Sequence, residues 1–260
     1  MKFDLISDVH LDIALSDRTV EALVQQILPS TPQPLLVFAG DFGDYNEQNI
    51  AFLKELKKTY STIFFIYGNN DLKLKTSNPE GFEDVYERVK AFEYEVSSLE
   101  GVYRLDENCR TFQGIVFGGS DIFYDFDEIM HHLHLEKKEI YEEWYKHHLH
   151  IKHRGWIHDP DAFAQLQKEK LRQFIPKADV IITHGAPNFF VGEKDEMIGF
   201  FRFEADEFIP YIENKVWCFG HQHRRMYAQK HGCTFINASY MGTRYPKIQT
   251  VSVSKTAKKQ

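Results

Sequence analysis

Cysteine is scarce in this chain: Cys109, Cys218 and Cys233 are the only three, far apart and in no CxxC pair. That excludes a disulfide framework and a thiolate zinc site, and a reducing compartment fits best. Long apolar runs are missing too. No stretch approaches the roughly 20 apolar residues of a membrane span, and Asp4 and Asp8 interrupt what would otherwise be a leader-like N-terminus. The chain therefore reads as cytoplasmic and complete, with no membrane partner. Nor is there an excess of positive charge, since 31 Lys and Arg stand against 38 Asp and Glu for a formal net charge of −7. Such a balance does not promise a broad electrostatic grip on nucleic acid. Repeats and low-complexity linkers are absent, so residues 1–260 read as one domain with its own core. What is plentiful is histidine, thirteen residues, the side chain most used for metal ligation and for proton transfer near neutral pH.

The apolar pattern predicts an α/β fold. Lys2 to Ser7, Leu35 to Ala39 and Thr62 to Tyr67 are short apolar runs, separated by segments of helical period at Asp17 to Leu28 and Glu47 to Lys58. Buried strands joined by helices imply a parallel sheet with right-handed crossovers. An amphipathic helix follows, with Phe82, Val85, Val89, Phe92, Val96 and Leu99 in alternating steps of three and four. Further strands are expected at Val102 to Leu105, Ile115 to Gly118, Val180 to Thr183, Lys215 to Phe219, Thr234 to Asn237 and Ile248 to Val253. Pro160 to Ile175 reads as a helix capped by Asp159 and closed by Pro176. A helical insertion is expected at about Asp125 to His158.

Nearly every strand ends on a potential metal ligand, or on a glycine beside one. The first runs into Asp8-Val9-His10, the second into Gly40-Asp41 and the third into Gly68-Asn69-Asn70-Asp71. Later strands run into Thr183-His184-Gly185 and Gly220-His221-Gln222-His223. The carboxyl ends of parallel strands form the ligand-binding edge of such folds, so these residues are expected to converge. Carboxylate, imidazole and neutral amide donors suit Mn²⁺ first, with Fe, Zn²⁺ or Ni²⁺ as alternatives. Seven candidates exceed what one catalytic ion needs, which points to two divalent ions sharing a central Asp. Such a pair polarises phosphoryl oxygens and supplies a shared hydroxide for in-line attack. Gly40, Gly68 and Gly220 are expected to let the backbone turn sharply at the strand ends, where a side chain would obstruct ligand or metal.

These five motifs, in this order and each behind a strand, resemble the calcineurin-like metallophosphoesterase family. The likeness covers most of the chain and extends to Val116 to Phe126 and Val216 to Arg224. It implies an αββα-type sandwich and a dinuclear metal-dependent phosphohydrolase. It also implies that Asp8, His10 and His223 hold one metal, that Asn69, His184 and His221 hold the other, and that Asp41 bridges them.

One position departs from the commonest family pattern. Where many members have Gly-Asn-His followed by Asp or Glu, this chain has Asn70, and the imidazole usually assigned to protonating the leaving group is missing. Asn has no proton to give at neutral pH, and loss of a general acid typically costs about 10²–10⁴-fold. A poor alkyl leaving group would feel that loss, whereas an aryl or phosphate group would largely escape it. The resemblance thus favours phosphodiester or phosphoanhydride hydrolysis over monoesters. Asn70 and Asp71 are the candidate catalytic positions: Asn70 as an amide donor to a phosphoryl oxygen, Asp71 either acting in the site or simply closing its turn.

The substrate is expected to be a small phosphorylated molecule, with nucleotides and cyclic diesters among the candidates. Phe189, Phe190, Phe200 and Phe201 would suit such a substrate if they formed an aromatic lip, although core packing is the plainer reading for at least two of them. Arg224, Arg225 and Arg244 are candidate phosphate partners. Eight of the thirteen histidines fall between His131 and His158. Ile140, Tyr141, Trp144 and Ile151 mark an apolar face there, so an amphipathic helix pair, or a lid over the site, is favoured over a second metal centre. Two other functions stay open: a non-catalytic scaffold of the same fold for a protein partner, and a nuclease.

Overall fold

Strands that are apolar on both faces must be covered on both sides. The computed structural model describes residues 1–74, 79–106, 108–148, 159–190, 202–239 and 247–255. Its first half alternates strand and helix: β1 (Lys2–Ile6), α1 (Leu11–Ala14), α2 (Val20–Ile27), β2 (Leu35–Ala39), α3 (Asn46–Lys57), β3 (Thr62–Ile66), α4 (Val85–Ser97) and β4 (Val102–Arg104). Then come β5 (Arg110–Phe112), β6 (Ile115–Ser120), α5 (Phe126–Leu133), α6 (Lys137–His148), α7 (Pro160–Phe174) and β7 (Val180–Thr183). The remaining strands are β8 (Ala186–Pro187), β9 (Arg202–Phe203), β10 (Val216–Phe219), β11 (Met226–Lys230), β12 (Cys233–Asn237) and β13 (Gln249–Ser252).

Two sheets result. The first has the order β13-β1-β2-β3-β4, parallel from β1 to β4 with β13 antiparallel at its edge. The second has the order β11-β12-β10-β7-β6-β5, parallel in the middle and antiparallel at both ends. They share one apolar layer, in which Phe3, Leu5, Val37 and Phe64 of the first sheet cluster with Phe117, Val180, Ile182 and Cys218 of the second. The two-residue strand period sends the alternate side chains outward. Leu36, Phe38 and Phe65 pack with Leu23, Leu53 and Phe92 of the helices over the first sheet, while Ile181 and Trp217 pack with Leu171 and Phe174 of α7 over the second. This is the helix–sheet–sheet–helix layering that the family resemblance implies.

The short elements α1, β5, β8, β9 and β11 have no counterpart in the apolar pattern. β11 shows why: it is an edge strand whose residues are mostly exposed, so no alternation is imposed on it. The insertion leaves the body at Asp125, whose carboxylate accepts hydrogen bonds from Lys168 Nζ at 2.9 Å and from the Glu204 amide at 3.1 Å. Ile129 and Ile140 are buried there, and Tyr141 meets the Phe126 ring edge-on at 5.1 Å. Ile151 and residues 149–158, with His150, His153 and His158, lie outside the described residues. Among the described residues no helix is long and apolar enough to cross a membrane.

Candidate metal centre

The strand-end residues meet at the carboxyl edges of both sheets. The first sheet presents Asp8 and His10 after β1, Asp41 after β2 and Asn69 after β3; the second presents His184 after β7, and His221 and His223 after β10. Hydrogen bonds fix each loop to its neighbour. The amides of Asp8 and Val9 donate to the carbonyls of Gly40 and Asp41, both at 2.9 Å, and the Gly220 amide donates to His184 O at 2.9 Å. Three ties then join the two sheets. The His221 amide donates to both oxygens of Asp8 at 3.1 and 3.0 Å, His184 Nδ1 lies 2.8 Å from Ala39 O, and the Tyr67 amide donates to Asp121 Oδ1 at 2.8 Å. Thr183 steadies the turn that carries His184, its hydroxyl donating to Gly185 O at 2.8 Å and accepting from Trp217 Nε1 at 2.9 Å.

Two donor groups result, Asp8 with His10 and His223, and Asp41 with His184 and His221, each with its ligand atoms within 4.8 Å of one another. Asp41 Oδ2 lies between them, 3.5 Å from His184 Nε2 and 3.8 Å from His10 Nε2. Asn69 Oδ1 joins the second group, 3.0 Å from His184 Nε2. The donor chemistry fits a cation. Ala39 O can only accept, so His184 keeps its proton on Nδ1, and its Nε2 lone pair faces two oxygens that also carry lone pairs. His10 and His223 likewise oppose Nε2 to Nε2 at 3.1 Å. Unless a proton or a metal ion lies among them, such atoms repel.

The backbone bears the same signature. Of nine non-glycine residues with positive φ among those described, five are Asp8, His10, Asp41, His221 and His223. Each costs of order 1–3 kcal/mol, and strain concentrated on one set of side chains marks a functional constraint. The glycines divide between the two expected roles, turning and clearance. Gly40 does turn with φ 88°, but Gly68 and Gly220 have no positive φ. Their role is close approach, since a Cβ on Gly220 would stand 2.5 Å from Asp8 Oδ2.

Charge is balanced within the centre. Burial opposes the ionised forms of Asp8 and Asp41, yet both lie below the usual carboxylate range, Asp8 through the His223 hydrogen bond and the His184 charge, Asp41 through the charge and hydrogen bond of His184. Burial also opposes His184⁺, but Asp41 outweighs it and moves this imidazole from 6.5 up to about 9. In the metal-free protein His184 therefore stabilises the fold fully below pH 6.5, and this contribution is lost as pH rises through about 9. A metal ion held through His184 Nε2 would have to displace that proton. Binding of Mn²⁺ at about pH 7.5 is expected to release close to one proton at this position. Calorimetry in buffers of differing ionisation enthalpy measures it, and metal uptake without proton release would exclude His184 as a ligand.

The remaining candidates are placed as follows. Asn70 is half-buried, and its backbone amide, at 2.8 Å, and one N–H of its side-chain Nδ2, at 2.5 Å, donate to the Asp41 carboxylate, while Nδ2 keeps a second N–H. Asp71 is buried and accepts the amides of Asp41 and Gly68 at 2.8 Å and of Phe42 at 2.9 Å, so it ties the loop after β2 to the loop after β3. Burial and the neighbouring Asp41 charge push its carboxyl up to about 7, against the pull of the Gly68 amide and Arg88. Three N–H donors nonetheless match the ionised form, and cations on Asp41 would offset the part of the upward push that its charge supplies. Phe189 packs edge-on against Phe235 at 5.5 Å, as core packing predicts, while Phe200 and Phe201 lie outside the described residues. Arg224 is exposed, Arg225 donates to Lys247 O at 2.7 Å, and Arg244 lies outside the described residues.

Two supporting residues were given no role of their own in the sequence, although both fall in Val116 to Phe126. Asp121, through Tyr67, fixes the strand that leads into Gly68, and Phe123 lays its buried ring beside His221 at 5.9 Å and His184 at 6.3 Å. The signal available was their position at the end of β6, a parallel strand that carries no ligand itself but pairs with β7, which does.

Comparison with known proteins gives a family match described as calcineurin-like phosphoesterase over residues 1–225. The fold is similar to that of the phosphopantetheinyl hydrolase PptH from Mycobacterium tuberculosis, with a TM-score of 0.71 at 16% identity over 96% of this chain and 95% of that one. A putative 5'-nucleotidase from Staphylococcus aureus is also similar, with a TM-score of 0.49 at 15% identity, 96% of this chain aligning to 50% of that one. No curated protein sequence matches.

Proposed function

Because this chain belongs to the calcineurin-like phosphoesterase family, whose members are metal-dependent phosphoester hydrolases, we propose that it cleaves phosphodiesters or phosphoanhydrides in preference to monoesters. In this reading Asp8, His10 and His223 hold one divalent ion, Asn69, His184 and His221 hold a second, and Asp41 lies between. Such a pair supplies Lewis acidity toward phosphoryl oxygens and makes water nucleophilic near neutral pH. Mn²⁺ suits the mixed oxygen and nitrogen donors.

The chain's own residues hold and orient. His184 keeps its Nδ1 proton on Ala39 O, which aims Nε2 into the centre. Asp71 keeps the loops of Asp41 and Asn69 in register. His10, His223, Asn69 and Asn70 are the half-exposed members, so substrate is expected to approach from their side. The observation that carries the diester preference is Asn70, which faces the centre without a transferable proton and whose amide is engaged by Asp41. A substrate whose leaving group needs no protonation then has the advantage.

A leaving-group series tests this. With Mn²⁺ the protein is expected to hydrolyse bis-p-nitrophenyl phosphate and to leave simple alkyl monoesters nearly untouched. Asn70→His is expected to raise alkyl ester turnover relative to the nitrophenyl substrate by up to about 10²-fold, the low end of general-acid contributions. Equal rates on alkyl monoester and nitrophenyl diester in the unaltered protein would refute the preference. Two bound ions with no hydrolysis of any phosphoester would instead indicate the non-catalytic scaffold.

A further inference from the structure

Arg88 lies in the apolar stripe of α4, between Val85 and Phe92 and beside Val89, and is only 2% exposed. A charged residue is almost never so buried unless its donors are engaged. Among the described residues its hydrogen-bond partners are all neutral oxygens. Nη2 donates to Gly43 O at 2.8 Å and Nε to Asn46 Oδ1 at 3.2 Å, both in the chain that follows β2. Nη1 donates to Lys73 O at 2.6 Å and more weakly to Asp71 O at 3.3 Å and Asn70 O at 3.4 Å, in the chain that follows β3. Asn46 returns a bond from Nδ2 to Arg88 O at 2.7 Å, which closes the clamp.

These are the same two loops that Asp71 joins through their amides. The carboxylate holds the N–H side and the guanidinium holds the carbonyl side, so Asp41, Asn69 and Asn70 stand on a segment fixed from both directions. We propose that Arg88 is a positioning residue of the metal centre, setting the distance between Asp41 and Asn69 from beneath the loops without touching substrate or metal. This rests on the dinuclear reading of the centre. The planar fork is the reason for Arg here: one rigid group spans two loops, whereas a Lys ammonium is a single point of donors on a flexible stem.

The test uses full-length Arg88→Lys together with the milder Asn46→Ala, which removes one arm of the clamp. Mn²⁺ binding is titrated by calorimetry, and amide hydrogen exchange is followed in the metal-free protein. For Arg88→Lys the expected results are a loss of about 10–100-fold in affinity for the weaker-bound ion, as supporting partners of metal ligands typically give, and faster exchange at 41–46 and 68–73 with the β-strands unchanged. At saturating Mn²⁺ kcat should fall while KM for bis-p-nitrophenyl phosphate stays within about twofold, because uniform substrate binding is untouched. Asn46→Ala should move each readout in the same direction by less, and it carries the test if Arg88→Lys does not fold. Wild-type affinity and wild-type loop exchange in the folded variant would overturn the proposal. If the unaltered protein bound no divalent ion, the dinuclear reading would fall while the exchange comparison still judged the clamp.

Discussion

Asp41→Asn is expected to lower Mn²⁺-dependent diester hydrolysis by on the order of 10³-fold, the equivalent of several kcal/mol of transition-state stabilisation. The reason lies in how fully the carboxylate is used. Oδ1 accepts the Asn70 amide, while Oδ2 accepts Asn70 Nδ2 and stands within 3.5 Å of His184 and 3.8 Å of His10. An amide in its place must turn an NH₂ group toward a donor on one side or toward the metal position on the other. Neither orientation serves both donor groups, so metal content should fall together with rate. Elemental analysis beside a nitrophenyl assay reads both quantities. A variant that kept two ions per chain and an unchanged kcat would remove Asp41 from the bridging position.

Gly68→Ala is the second large effect, and it adds one carbon. A Cβ there would stand 2.2 Å from Asp41 Oδ1, 2.6 Å from His184 Cε1 and 2.7 Å from the Asp41 amide nitrogen. None of these neighbours is free to move: the Asp41 amide is held by Asp71 Oδ2 at 2.8 Å, and His184 is held by Ala39. The metal-free protein should lose about 1–3 kcal/mol, the usual cost of overpacking. Metal affinity should fall further, because the clash pushes a carboxylate and an imidazole of one donor group apart. Denaturant melts with and without Mn²⁺ separate the two effects. A variant as stable as the parent, and equally stabilised by Mn²⁺, would show that the loop can relax and that close packing of β3 against the centre is not required.

How much of this is legible without coordinates depends on whether local chemistry or distant packing sets each feature. β2 and β7 fall at the residues their apolar runs predict, and β1, β3 and β10 within one residue, because strands buried on both faces are mostly apolar up to their ends; the exception is the buried Asp4 of β1, which accepts hydrogen bonds from Gln33, Tyr60 and Thr250. The helix at Pro160 is readable from its cap, since Asp159 does accept the Ala162 amide at 3.0 Å. Arg88 leaves a trace as well, a lone charge in the stripe of Val85, Phe92 and Val96, but the pattern does not say which carbonyls it serves.

The sequence by itself determined which residues end the strands, that those residues are oxygen and nitrogen donors without thiolates, and that Asn70 stands where an imidazole is usual. These are matters of residue type and local period. Only the tertiary structure decided which strands enter each of the two large sheets, so that Asp8, Asp41 and Asn69 come from one edge and His184, His221 and His223 from the other. It alone engaged the Asn70 amide on Asp41 and set how closely Gly68 approaches Asp41 and Gly220 approaches Asp8. The physical reason is that a strand's burial is encoded in its own side chains, whereas which strands become neighbours, and how closely their loops approach, follows from packing between segments far apart in the chain.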